Sequence, residues 1–140
     1  MTMHLVLKPV LACLAALAFA GHALAQTAAA DAEIGRAYGE AVTKAVLLAE
    51  TLALLEKKCS NLAKEMDYLK IVEKDRAEVA RLEPQLNRLV AMLVPATTEK
   101  MIEADGGCGA EKLKERHAKL QANFAEDAMK LMQGTWHPKK

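Results

Sequence analysis

Strand signals are absent from this 140-residue chain, and residues that break helices are few: seven glycines, four prolines and a single serine, Ser60. Aromatic residues make up 4% of the sequence, and alanine supplies much of the 52% hydrophobic fraction. Helix propensity therefore dominates nearly everywhere after Asp31, which predicts an all-α protein. Surplus charge is missing as well. Nineteen Lys+Arg stand against eighteen Asp+Glu, so the chain has no basic excess with which to release counterions from a phosphate backbone, and no nucleic-acid partner is expected.

Reaction motifs are equally scarce. A lone serine in an interhelical turn, far along the chain from His117, gives no motive for Ser-His nucleophilic catalysis. Neither a Cys-x-x-Cys redox pair nor a Cys-x-x-Cys-His haem attachment site occurs. Di-iron sites in helical bundles use Glu-x-x-His, whereas here Lys114 stands three residues before His117. The expectation is a non-enzymatic protein with no cofactor and no metal.

Residues 1–25 read as a secretory signal. Lys8 lies in the N-region, an apolar stretch runs from Val10 to Ala20, and Ala23-Leu24-Ala25 precedes Gln26. That stretch is well short of the roughly 20 residues that span a bilayer, so no stable membrane insertion is expected after cleavage. Residues 26–140 then form a single helical domain with a short tail, 135–140, in the periplasm or outside the cell. Two cysteines remain, Cys59 and Cys108. An even count in an exported chain points to one disulfide.

From Ile34 the apolar residues recur in sevens: Ile34, Ala41, Leu48 and Leu55 form one line, interleaved with Tyr38, Ala45, Leu52 and Cys59. Lys57 and Lys58 suit the C-terminus of that helix, and Ser60 or Asn61 can cap the next. A second periodic stretch begins with Leu62, Met66, Leu69 and Val72 and continues through Val79, Leu82, Leu86, Leu89 and Leu93. Ala104-Asp105-Gly106-Gly107 is a helix stop. The last helix is expected from about Ala110 to Gln133, with Leu113, His117, Leu120, Phe124, Ala128 and Leu131 on one face and Gly134 as its cap.

The cysteines constrain how these helices connect. A single helix over residues 61–93 would carry the chain roughly 50 Å from Cys59, too far for Cys108 to return within the Cα separation of about 7 Å that a disulfide allows. Glu83-Pro84 is the best-placed signal for a reversal. The predicted fold is an up-down-up-down four-helix bundle with Cys59 and Cys108 bonded at one end. The alternative is a long helical hairpin kinked at Pro84, dimeric if the cysteines bond between chains; the unbroken phase of Val79, Leu82, Leu86, Leu89 and Leu93 favours it.

Two further residues stand out. His117 in the apolar stripe of the last helix is a candidate pH switch, its protonation loosening the bundle below about pH 6. Trp136, the only tryptophan, is a candidate partner contact, with folding back over apolar surface as the blander role. The functional expectation is a small exported helical binding protein that acts on an unidentified protein of the cell envelope, as an inhibitor, an immunity protein or a chaperone, in monomeric or homodimeric form. The alternative is a carrier of a small apolar ligand held between helices, with Met66, Met92, Met101, Met129 and Met132 available to line an adaptable cavity.

Overall fold

The chain enters its folded part on a long helix, α1 (Leu7–Lys58), then passes through a one-turn helix, α2 (Tyr68–Val72), and two longer ones, α3 (Arg76–Asp105) and α4 (Glu111–Gln133). These elements come from a computed structural model, which describes residues 7–62, 66–134 and 136, with side chains from residue 30 onward. Among the described residues there is no strand. The expected signal segment, 1–25, lies outside the residues whose side chains are described. Two units form: residues 37–135, and residues 1–36 together with 136–140. The core and the disulfide belong to the first.

α1 and α3 run in the same direction. Gly39 faces Glu78 and Arg81 near the start of α3, and Lys58 donates to Glu99 Oε1 at 3.1 Å near its other end. α4 runs the opposite way, since Lys44 meets Asp127 and Glu56 meets His117. The core gathers Val42, Ala45, Val46, Ala49 and Leu52 of α1 with Tyr68, Val72, Leu86, Phe124 and Leu131. A smaller cluster of Leu55, Cys59, Leu62 and Leu113 closes the end that carries the disulfide.

The Cys59–Cys108 bond is present, with Cα atoms 5.2 Å apart, inside the range that a disulfide permits. The chain folds back so that both sulfurs reach one pole. Its route differs from the one expected, because α3 passes unbroken through Pro84 and Pro95. Each proline removes one backbone hydrogen bond and frees a carbonyl four residues earlier. Those carbonyls belong to Ala80 and Ala91, both exposed, so water can satisfy them and the helix survives. The apolar phase is kept, with Leu86, Val94 and Thr98 buried along one line.

The reversal happens earlier. Residues 66–75 make a return strap, helical only over Tyr68–Val72 and a following 3-10 turn, Glu73–Asp75. Tyr68 reaches Glu56 near the C-terminal end of α1. Asp75 reaches Tyr38, about five turns earlier on that helix. Three helices plus this strap therefore stand where four helices were expected. An unbroken helix at position 84 is compatible with an intramolecular disulfide because that helix begins at Arg76 and not near residue 61.

Local signals account for the boundaries. Lys57 and Lys58 occupy the last turn of α1. Asn61, expected as a cap, instead donates to the Cys108 carbonyl at 2.7 Å, and Asp67 caps α2 by accepting from the Lys70 N–H. α3 ends at Gly106, whose φ of +98° suits a residue without Cβ. Gly106 N–H donates to Glu103 O and Gly107 N–H to Ile102 O, the pair of bonds that closes a Schellman ending. α4 stops at Gly134, as expected.

Candidate functional site

One carboxylate oxygen ties α1, the strap and α4 together. Glu56 Oε1 accepts from the Tyr68 hydroxyl at 2.6 Å and lies 2.8 Å from His117 Nε2. A carboxylate offers only acceptors, so Nε2 carries the proton in this arrangement. Gln121, one turn beyond His117, donates to the Tyr68 oxygen at 2.7 Å. Glu56, Tyr68 and His117 are each less than one-tenth exposed. Burial, and then the bond to Glu56, push the Tyr68 hydroxyl up to about 12, with Gln121 opposing. The Tyr68 ring meets Phe124 edge-on, centroids 5.2 Å apart, an arrangement aromatic pairs favour.

The node fixes the strap and orients α4, but its groups face inward. The lone serine, Ser60, is exposed in the turn after α1 and makes no part of it. Among the described residues no group of three or more His, Cys, Asp or Glu is arranged to hold a metal ion. What the node can do is hold a buried polar junction between α1, the strap and α4.

One ion pair and one further hydrogen bond to a carboxylate hold the scaffold. Arg116 donates from Nε and Nη2 to the two oxygens of buried Asp105, joining α3 to α4. These bonds hold the Asp105 carboxyl below the ordinary range. At the other end, the Tyr38 hydroxyl donates to Asp75 Oδ1 at 2.6 Å. Burial and that carboxylate push it well above the usual range for tyrosine.

The outward-facing feature is apolar. A groove of about 370 Å³ runs between the strap and α4, lined by Met66, Ile71, Ala122, Phe124, Ala125 and other residues. Ala118, Ala122, Ala125, Met129 and Met132 follow each other along α4 at spacings of four and three, and all are exposed. Met129 and Met132 expose 51% and 63% of their surface, and Met66 exposes 49%. The Lys74 ammonium lies 3.9 Å from Met132 Sδ, which brings strap and helix together on this face. α4 thus carries two stripes: the expected one, with Leu113, His117, Phe124 and Leu131 buried, and a second, Ala118, Ala122, Ala125, Met129 and Met132, whose members are exposed.

Of the residues singled out by sequence, Cys59 and Cys108 are joined, and His117 is buried against Glu56. Trp136 is half-buried and belongs to the unit formed by residues 1–36 and 136–140. Sequence reasoning missed Glu56, Tyr68 and Gln121. A signal existed for the first: Glu56 falls four residues after Leu52 and seven after Ala49, a core register that calls for a buried partner when a charge occupies it. Among the described residues no helix is long and apolar enough to cross a membrane. Comparison of the chain with protein-family models, with curated proteins and with solved structures gives no match.

Proposed function

We propose that this protein is an exported helical binding module, non-enzymatic, which uses the face formed by the strap and α4 to hold another polypeptide of the cell envelope. The observation that carries this reading is the second, exposed stripe of α4 beside Met66 and Ile71. Contiguous exposed apolar surface of this kind marks interaction sites. Methionine suits it because its unbranched, polarisable side chain adapts to different partners. A groove running along a helix and edged by a strap fits the apolar face of a partner helix.

Export is supported by the residue pattern of positions 1–25 and by the Cys59–Cys108 bond, since disulfides persist in oxidising compartments. Inhibition, immunity and chaperoning are all roles such a face serves.

Site-specific photo-cross-linking tests the reading. A photoreactive residue at Ala125, in the full chain expressed in its own host, is expected to give one discrete polypeptide adduct. Met129→Glu and Met132→Glu should abolish it. Adducts of equal yield from a probe at exposed Arg88 of α3 would refute this use of the face.

A further inference from the structure

A second cleft, of about 500 Å³, lies on a different part of the same unit, where α1, α3 and α4 meet. Leu47 and Leu48 of α1, Val94 and Met101 of α3 and Leu120 of α4 contribute apolar walls. Asp127 lines it too, and its side chain is nine-tenths buried. The two carboxylate oxygens differ. Oδ1 accepts from Lys44 Nζ at 3.3 Å, whereas Oδ2 is buried with no hydrogen-bond partner.

Buried polar atoms are nearly always satisfied, so an orphaned acceptor just beneath the surface of a residue that lines a cleft asks what supplies its donor. Lys44 already serves the other oxygen through a long bond, and its side chain is 70% exposed; such a surface pair yields readily to an incoming donor. The volume falls within the span of small-molecule sites, and apolar walls with one polar anchor are their usual chemistry.

We infer that this cleft binds a small apolar molecule, an alkyl chain or comparable body, whose head is a hydrogen-bond donor directed to Asp127. An alcohol or a primary amine supplies that head. A carboxylate does not, because it brings acceptors and like charge to an oxygen that lacks a proton donor. The cleft carries two bases, Lys44 and Lys130, against two acids, Asp127 and Glu126; Glu126 is bonded to Lys130 at 3.0 Å and Asp127 Oδ1 to Lys44, so each cation already has its carboxylate. This site is separate from the strap–α4 face and stands or falls independently of it.

The full-length protein, labelled at its methionine methyls, reports binding by NMR. Met101 lines the cleft, and Met66 and Met132, on the strap–α4 face, serve as references. Titration with 1-octanol, n-octylamine and octanoate is expected to shift the Met101 signal saturably with the alcohol, the amine or both, and at least tenfold more weakly with octanoate. Which of the first two binds more tightly identifies the head group. Asp127→Asn, which keeps the shape and supplies its own donors, should erase the preference over octanoate. Thr97→Trp, from an exposed position on the rim, should block all three probes while leaving the reference signals in place. Equal binding of octanoate, an unchanged preference in Asp127→Asn, or no Met101 shift with any probe would overturn the inference.

Discussion

Glu56 and His117 are 61 positions apart in sequence, yet Oε1 of one and Nε2 of the other lie 2.8 Å apart in the core. The Tyr68 hydroxyl shares the same oxygen, so a single acceptor registers α1, the return strap and α4. Removing one donor leaves the others buried and short of a partner, which costs about 1 to 3 kcal/mol. Tyr68→Phe is therefore expected to lose stability in that range in urea titrations, and Gln121→Ala to add little on top of it. Additive losses from the two would show that the groups do not act as one network.

Alkaline pH probes the same residues. The only tyrosines in the chain are Tyr38 and Tyr68, and both hydroxyls are held above the ordinary value of 10.0, Tyr68 at about 12. The native state keeps protons that the unfolded state releases, so stability is intact below pH 10 and falls as pH rises through 12, by about 1.4 kcal/mol per pH unit for each proton involved. Tyrosinate absorbance of the folded protein should rise about two units later than in denaturant. A single titration at the ordinary value in both states would contradict the two buried bonds.

Substitution tests His117. The groups facing it are Glu56 from α1, Tyr68 from the strap and Gln121 on its own helix. His117→Leu leaves the buried Glu56 carboxylate with one donor fewer and is expected to cost about 1 to 3 kcal/mol in urea titrations at neutral pH. An unchanged midpoint would show that the imidazole contributes no bond to the node.

The disulfide closes a loop whose ends are 49 positions apart. Chain entropy assigns such a closure about 4 kcal/mol, a large share of the roughly 5 to 15 kcal/mol that holds a typical domain together. The Cys59→Ser, Cys108→Ser variant is expected to lose about that much in denaturant titration, with a larger m-value because the unfolded chain without the cross-link exposes more surface. A loss below about 1 kcal/mol would mean that the reduced chain already keeps its ends together.

Much of this architecture is written in residue spacing. The stripe of α4, its Gly134 stop and the Gly106-Gly107 turn are visible because they depend on local period and on backbone freedom. The pairing of Cys59 with Cys108 follows from counting. The strap is not legible, since Leu62, Met66, Leu69 and Val72 continue an apparent helical period, whereas residues 66 and 67 are not helical and α2 covers only Tyr68–Val72. Met66 and Leu69 are exposed as a result, and Tyr68 takes the buried place. Pro84 misleads for a related reason: whether a proline ends a helix depends on whether the carbonyl it frees can reach water, and that is a property of the packed molecule. Glu56 and His117 each sit visibly in an apolar stripe, but only the fold makes them partners.

The face built from the strap and α4 can be tested in one comparison. Affinity-tagged full-length protein would be isolated from its own cell envelope in three forms: wild type, Ile71→Glu with Met129→Glu, and Met92→Glu, the last altering an equally exposed methionine on α3. All three are expected to melt at the same temperature. Wild type and Met92→Glu should retain the same polypeptide in stoichiometric amount, and the double variant should lose it. Equal retention by all three, or retention by none, would contradict a binding role for this face.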